Sequence, residues 1–220
     1  MASTSKENYL KTIYSFNVIN GTNPSTAQIA QELEISNAAT SEMAKKLSQE
    51  GLISYAKYKG VGLTDEGEKE ALNVIRRHRL WELFLMKVLG LAWSEVHDEA
   101  ERLEHHTSEF LIDQIDEYLG FPSYDPHGDP IPRKNGELPV LPKLITLQEA
   151  EVGKRYKLIR VDDKNNELII YITKLGLVLY KEFEVVDRFS FDNSIIIKLE
   201  GNNFSISEKL SNNLFVTALD

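Results

Sequence analysis

The fold of this chain is decided by residues 25–63, which read STAQIAQELEISNAATSEMAKKLSQEGLISYAKYKGVGL. Ser25 and Gln28 have the spacing of a helix capping box, and Ser36 is a typical N-cap for a second helix that ends at Gly51. Two short extended runs around a lysine-glycine turn follow, which predicts a hairpin. Helix, tight turn, helix and hairpin in this order predict a winged helix-turn-helix.

The second helix of such a unit presents its N-terminal part to the major groove of DNA. Hydroxyl groups there reach phosphates or base edges, small residues allow a close approach, and lysines contact phosphates. Glu42 is the least expected member, because phosphates repel a carboxylate unless it accepts from a cytosine amino group. The candidate DNA-contacting residues are Ser36, Asn37, Ala38, Thr40, Ser41, Glu42, Lys45, Lys46, Lys57 and Lys59.

The flanking sequence is helical up to Gly120. Apolar residues at helical spacing around Tyr9 and Ile13 predict a first helix. Further helices are predicted from about Asp65 to Leu89 and from about Ser94 to Thr107. A last one is predicted through Phe110, Leu111, Ile115 and Leu119, stopped by Gly120.

The character of the chain changes after Gly120, since six of the seven prolines fall in residues 121–143. Beyond this linker, short runs rich in Ile, Val, Leu and Tyr predict the strands of a small β barrel: Tyr156–Val161, Glu167–Ile172, Glu182–Val186 and Ser194–Leu199. We therefore expect a mainly α protein with a small β domain, divided into a winged helix-turn-helix (1–64), a helical domain (65–120), a proline-rich linker (121–143) and a barrel (144–220).

The composition excludes several classes of protein. Of the 220 residues, 42% are hydrophobic and 27% are charged, as in a folded protein with a sizeable core. No run of about 18 apolar residues is present to span a bilayer, and the N-terminus lacks a secretory pattern, so we expect a cytoplasmic protein with no membrane partner. The absence of cysteine excludes disulfides and thiolate metal sites.

The charge is unevenly distributed. The formal net charge of −9 alone argues against a nucleic-acid partner. However, residues 1–64 carry a net charge of +1, whereas residues 65–120 carry −8. The predicted DNA-binding segment is thus slightly basic, and the acidic excess belongs to the helical segment.

That helical segment contains candidate metal ligands. His97, Glu101, Glu104 and His105 stand at positions i, i+4, i+7 and i+8, which fall within about 100° of one helix face. His78 and Glu82 form another i, i+4 pair upstream. One such pair is typical of a surface salt bridge, but two pairs in an acidic segment indicate a divalent metal site built from oxygen and imidazole nitrogen.

Taken together, the chain resembles the diphtheria-toxin-repressor family of metal-dependent transcriptional regulators. The stretches that carry the resemblance are Glu7–Tyr14, Arg77–Leu80 with Glu82, Val96–His105 and Pro126–Pro132. The resemblance implies a C-terminal SH3-like barrel and a homodimer joined through the middle helices. It also implies binding to palindromic operator DNA when Mn(II) or Fe(II) is present, and repression of metal-uptake genes.

The resemblance further implies two ion sites per subunit. The implied primary ligands are Asn8, Glu101, Glu104 and His105. The implied ancillary ligands are His78, Glu82, His97, Asp125, His127 and Asp163, of which Asp125 and His127 come from the linker and Asp163 from the barrel.

Two positions depart from the family pattern and bear on the choice of metal. Glu101 replaces the cysteine of the iron-responsive branch, and oxygen ligands suit Mn(II), so we expect Mn(II) to be preferred while Fe(II) remains possible. Asn8 replaces the usual Asp or Met, so the ligand that connects the first helix to the ion is a neutral side-chain carbonyl.

The residues leave other interpretations open. The winged helix also fits a scaffold, or a regulator that binds DNA constitutively or answers to a small organic ligand. His and Glu ligands at two ion sites also fit a metalloenzyme that activates water. No phosphate loop or Ser-His-Asp order is visible, and Gly60-Val61-Gly62 lies in the predicted hairpin, so we expect neither an enzyme nor an organic cofactor.

Overall fold

The computed structural model describes residues 4–56, 60–140, 142–162 and 166–219. No described helix is long and apolar enough to cross a membrane. The helices are α1 (Thr4–Asn20), α2 (Thr26–Glu32), α3 (Asn37–Gln49), α4 (Asp65–Lys87), α5 (Val96–Glu104), α6 (Glu109–Tyr118), α7 (Asn166–Lys174) and α8 (Glu208–Ser211). The strands are β1 (Ile53–Ala56), β2 (Gly60–Leu63), β3 (Ile145–Thr146), β4 (Arg155–Val161), β5 (Glu182–Arg188), β6 (Ile195–Leu199), β7 (Asn202–Ile206) and β8 (Leu214–Ala218).

The chain forms two compact units, each assembled from three segments. The first unit comprises Met1–His78, Glu101–Gln114 and Pro132–Leu138. The second comprises Arg79–Ala100, Ile115–Ile131 and Pro139–Asp220.

The winged helix-turn-helix of the first unit follows from local sequence signals. Ser25 and Gln28 form the predicted capping box at the start of α2, and the Ser36 side chain caps α3 by accepting from the N–H of Ala39. The two strands of the wing pair antiparallel, with Ile53 opposite Leu63. Each of these predictions is confirmed.

The core of the first unit joins α1 to α3 and the wing. Tyr9, Leu10 and Ile13 on α1 are fully buried with Leu47 of α3 and Val61 of β2. Their burial removes apolar surface from water, which stabilises the packing of α1 on the winged helix.

The start of α4 packs closely on the chain that enters the wing. A Cβ at Gly67 would lie 1.9 Å from the carbonyl oxygen of Leu52, so only glycine allows this approach. The observed α4 ends at Lys87, two residues before the predicted end at Leu89, and this difference is within the usual uncertainty of helix ends.

The second unit contains a six-stranded antiparallel sheet in the order β3-β8-β4-β5-β6-β7. Alternate residues of its strands, such as Tyr156 and Leu158 on β4 and Val185 on β5, point into one apolar core. The small β domain expected after the linker is confirmed.

One predicted strand of this domain is wrong. Residues 167–172 belong to α7, which buries Ile169 and Ile172 at helical spacing in the barrel core. A short apolar run fits a buried strand and a buried helix equally well, and tertiary packing decides between them. The strands β7 and β8 and the two-residue β3 were not predicted.

Candidate metal centre

The principal cluster of candidate ligands lies in the first unit, where α4 meets the end of α5. His78, Glu101 and Glu104 each offer a ligand atom, and these atoms lie within 4.8 Å of one another. Nδ1 of His78 is 2.5 Å from Oε2 of Glu104, whose side chain is fully buried. A buried carboxylate requires compensating charge, which a divalent ion supplies.

His105 extends the cluster. Its Nε2 lies 3.2 Å from Oε1 of Glu104, and its Nδ1 lies 2.5 Å from Oε2 of Glu7 on α1. The structure thus brings together three of the four primary residues expected from the sequence, Glu101, Glu104 and His105. It also places His78, which the family resemblance assigned to the ancillary set, against Glu104.

Helix α1 contacts this cluster through charged side chains. The ammonium of Lys11 donates to Glu101 Oε2 at 2.7 Å and to Glu104 Oε1 at 2.9 Å. The Arg77 guanidinium donates to Glu7 at 2.8 Å and to the carbonyl oxygen of Glu104 at 2.7 Å. Helix α1 of the winged helix-turn-helix unit therefore contacts α5, which carries the candidate ligands Glu101 and Glu104.

Asn8 lies on α1 between Glu7 and Lys11, both of which contact the cluster. Its side-chain Oδ1 is buried and has no hydrogen-bond partner among the described residues. A buried carbonyl oxygen without a donor is costly, and coordination of a cation removes that cost. The environment of Asn8 agrees with its expected role as a ligand.

The surroundings of Glu101 favour its ionised carboxylate. Burial opposes the ionised form of Glu101, but the charge and hydrogen bond of Lys11, together with His78, outweigh burial and lower the pKa of Glu101 to about 2. Glu101 is therefore an anion at neutral pH, as a metal ligand must be.

These residues fit a divalent metal ion. Glu101 and Glu104 already hold a cationic ammonium between them, and His78 adds an imidazole nitrogen. Carboxylate oxygen and imidazole nitrogen are donors that Mn(II), Fe(II) and Zn(II) accept, whereas a soft Cu(I) ion prefers sulfur.

A second set of candidate ligands lies in the second unit. Oε1 of the fully buried Glu82 is 3.2 Å from Nδ1 of His97 and 3.6 Å from Nε2 of His127. The indole N–H of Trp93 donates to Nδ1 of His127 at 2.9 Å. Three of the expected ancillary residues, Glu82, His97 and His127, are thus neighbours.

Hydrogen bonds within its own turn and a close approach to Ile159 shape the linker loop that carries His127. Oδ1 of Asp125 accepts from the backbone N–H groups of His127 and Asp129, at 2.8 and 2.9 Å. Gly128 has a φ of +89°, and a Cβ there would lie 2.1 Å from the carbonyl oxygen of Ile159. Asp125 thus shapes the loop through Oδ1, and its expected role as a ligand stays a prediction. Asp163 lies outside the described residues.

The expected DNA surface is largely accessible on α3 and its N-cap. Thr40 differs from the expectation, because its side chain is fully buried and its hydroxyl donates to the carbonyl oxygen of Ser36 at 3.0 Å. Lys57 and Lys59 lie outside the described residues. The exposed members are Ser36, Asn37, Ala38, Ser41, Glu42, Lys45 and Lys46.

Three residues of the centre were not predicted: Glu7, Lys11 and Arg77. Their contacts bridge 27 to 98 positions of sequence, so local spacing does not reveal which residues they contact. One available signal was the i, i+4 spacing of Glu7 and Lys11, which places both on the face of α1 that carries Asn8.

The comparisons with known proteins agree with this architecture. The family model described as the N-terminal DNA binding domain of iron dependent repressors matches residues 1–61. The model described as their metal binding and dimerisation domain matches residues 64–133. This chain belongs to the diphtheria-toxin-repressor family of metal-dependent transcriptional regulators. A FeoA domain model matches residues 145–218, in agreement with the expected SH3-like barrel of this family.

Curated relatives from this family are similar over different lengths. The iron-dependent repressor IdeR of Mycobacterium leprae is 40% identical over 126 residues, which are 57% of this chain and 54% of IdeR, so the match spans about half of that relative. The diphtheria toxin repressor of Corynebacterium diphtheriae is 27% identical over 97% of this chain and 96% of that protein.

Solved structures match along nearly the whole chain. A manganese-dependent transcriptional repressor in complex with manganese has a TM-score of 0.89 at 34% identity, covering 97% of this chain and 100% of the other. ScaR with bound Cd2+ has a TM-score of 0.83 at 34% identity, with 97% and 99% covered.

Proposed function

We propose that this protein is a Mn(II)-preferring, homodimeric repressor that binds palindromic operator DNA when metal-loaded and represses metal-uptake genes. The observation that carries the proposal is the contact between α1 and the carboxylates of Glu101 and Glu104 on α5. Through this contact the ion site and the DNA-binding helices become parts of one packed unit. The proposed ligands of the first ion are His78, Glu101, Glu104, His105 and Asn8.

Helix α1 provides the connection from the ion to the recognition helix α3. Its Asn8 stands in the sequence between Glu7 and Lys11, which contact the cluster. The neighbouring Tyr9 is fully buried and donates from its hydroxyl to the carbonyl oxygen of Thr40 on α3 at 3.4 Å. An ion that draws Asn8 toward α5 therefore selects one position of α3. Two half-sites one helical turn apart require such a fixed position in each protomer.

Electrostatics supports the same switch. The helical segment 65–120 carries a net charge of −8, and each bound divalent ion adds two positive charges to it. Metal loading therefore lowers the repulsion between this segment and the phosphates of DNA.

The homodimer is supported by the surface of α6. Phe110, Leu111 and Tyr118 are 75%, 44% and 70% exposed, which is unusual for large apolar side chains on one ten-residue helix. A second copy of α6 covers such a surface in a symmetric contact.

The preference for Mn(II) rests on the donors. The chain has no cysteine, so every side-chain donor with high metal affinity is an oxygen or an imidazole nitrogen. Such a set suits Mn(II), and Fe(II) is the second candidate because it accepts the same donors. Glu82, His97 and His127 provide a second ion site, which gives up to two ions per subunit.

The test is a titration of labelled DNA. A duplex is selected from a random pool by the Mn(II)-loaded protein, and its fluorescence anisotropy is followed at buffered free Mn(II), Fe(II), Co(II) and Zn(II), and in excess chelator. We expect tight binding with Mn(II), weak binding in chelator, and an operator with two inverted half-sites. Equal affinity in chelator would instead indicate a constitutive regulator or one that answers to an organic ligand.

A further inference from the structure

The ammonium of Lys11 lies at the centre of the carboxylate pair that we assign to the first ion. Nζ is 2.7 Å from Oε2 of Glu101, and 2.9 and 3.1 Å from the two oxygens of Glu104. The side chain reaches from α1 across to α5, and it is only 20% exposed.

This contact differs from an ordinary surface ion pair. Glu104 is fully buried, so its charge depends on the cations that the protein itself supplies. Burial of Lys11 opposes its own charge, but Glu104 and Glu101 outweigh burial and raise the pKa of the ammonium. Lys11 is therefore cationic at neutral pH.

We propose that Lys11 is an internal competitor of the metal ion, which must displace the ammonium from Glu101 and Glu104 and so binds only above a threshold concentration set by Lys11. This inference rests on the proposed ion site. In this proposal Lys11 is not a ligand of the ion, but it sets the metal concentration at which the site fills.

The physical basis is that an ammonium and a divalent ion require the same lone pairs. Three carboxylate oxygens that accept from Nζ at hydrogen-bond distance are unavailable as ligands until Nζ leaves. Displacement of the ammonium costs the free energy of its ion pairs with Glu101 and Glu104. The displaced ammonium must then be solvated or pair with another anion. Removing the ammonium eliminates that cost and leaves two neighbouring carboxylates in need of a cation, so the affinity for metal rises.

Selectivity between metals follows a different rule. The cost of displacing Lys11 is the same whichever divalent ion arrives, because it belongs to the protein. Lys11 therefore shifts the dissociation constants of Mn(II) and Zn(II) by a similar factor and leaves their ratio unchanged, whereas the ligands determine that ratio.

Lys6 offers a matched control on the same helix. Its Nζ pairs with Glu50 at 3.0 Å and with Glu70 at 3.1 Å, so it also bridges two carboxylates. Neither of these carboxylates belongs to the proposed ion sites. Loss of Lys6 changes the charge of α1 as loss of Lys11 does, without touching Glu101 or Glu104.

The first experiment measures Mn(II) and Zn(II) affinity by competition with a fluorescent chelator in the full-length protein. We expect Lys11→Met to lower the Mn(II) dissociation constant by about tenfold, the factor that corresponds to about 1.4 kcal/mol. We expect Lys6→Met to leave it unchanged. An unchanged or higher dissociation constant in folded Lys11→Met would overturn the proposal.

The same measurement on Glu104→Gln separates this proposal from the ion site on which it rests. If Glu104→Gln binds Mn(II) as the wild type does, the ion site itself is misplaced. If Glu104→Gln loses the ion while Lys11→Met keeps the wild-type affinity, the site is correct and the competition is not.

A second experiment uses the wild-type protein and does not depend on the folding of a variant. Amine acylation followed by mass spectrometry measures the reactivity of each lysine, in chelator and at saturating Mn(II). We expect labelling of Lys11 to increase several-fold with Mn(II), because displacement frees its ammonium, and labelling of Lys6 to stay constant. Labelling of Lys11 that does not increase with Mn(II) would contradict displacement.

Discussion

The indole N–H of Trp93 donates to Nδ1 of His127 at 2.9 Å, and Nε2 of the same ring faces Oε1 of Glu82 at 3.6 Å. A neutral imidazole has one N–H and one lone pair, so a ring that accepts at Nδ1 carries its proton on Nε2. Coordination through Nε2 requires the other tautomer. The hydrogen bond from Trp93 and metal binding at Nε2 of His127 therefore exclude each other.

This exclusion predicts that Trp93 reports occupancy of the second ion site. The chain has two tryptophans, so Trp81→Phe leaves Trp93 as the single tryptophan. We expect the emission of Trp93 to change as the second Mn(II) ion binds, and His97→Gln to suppress that change. Constant emission at two ions per subunit would show that His127 does not coordinate through Nε2.

A second prediction concerns Asn8, the candidate amide ligand on α1. Asn8→Asp replaces a neutral carbonyl by a carboxylate, so we expect the Mn(II) dissociation constant to fall by about tenfold. Asn8→Ala should raise it. Asn20→Asp introduces the same charge at the exposed far end of α1 and should change nothing. Calorimetric titration measures all three, and equal effects of Asp at both positions would rule out coordination by Asn8.

The local parts of the fold were predictable because their causes are local. Ser25, Gln28 and Ser36 satisfy backbone N–H groups within three residues of themselves, so the sequence alone reveals these helix starts. Residues 167–172 were misassigned, because their run of apolar residues fits either periodicity and only the barrel core selects the helix. The accessible positions of strand β7 carry polar residues, so its sequence lacks the run of apolar residues by which β4, β5 and β6 were predicted.

The candidate site shows the same division. The grouping of the candidate ligands Glu101, Glu104 and His105, the last of which directly follows α5, was predictable from helical spacing. The contact of Lys11 with Glu104 joins residues 93 positions apart, and the contact of His78 with Glu104 joins residues 26 positions apart. Both arise from tertiary packing, which residue spacing does not encode.

A third prediction addresses the DNA surface. Lys45 is exposed on α3, and we propose that it contacts a phosphate. Lys45→Ala should then weaken binding to every duplex and reduce the slope of log affinity against log salt by about one, because one fewer counterion is released. Lys69→Ala removes an exposed lysine of α4 and serves as the control. An unchanged slope in Lys45→Ala would remove this residue from the interface.

A fourth prediction concerns the loop that positions His127. Gly128 and Gly153 both have positive φ, but a Cβ at Gly153 meets no atom within 4 Å, whereas at Gly128 it meets the carbonyl oxygen of Ile159. Gly153→Ala should cost roughly 1–2 kcal/mol of unfolding free energy for the left-handed backbone alone. Gly128→Ala should cost about 2 kcal/mol more, because the contact adds to the backbone strain. Urea denaturation measures the difference, and equal losses would mean that the loop moves to accept the methyl group.

In the proposed mechanism, a metal ion at Glu104 controls the position of the recognition helix α3. The most direct test of this mechanism measures the affinity for operator DNA across free Mn(II) for the wild type, for Glu104→Gln, and for Glu68→Gln, which removes an exposed carboxylate of α4. We predict that Glu104→Gln is a folded protein whose DNA affinity no longer rises with Mn(II), while Glu68→Gln behaves as the wild type. If the DNA affinity of Glu104→Gln instead rises with Mn(II) as in the wild type, metal does not control DNA binding through Glu104.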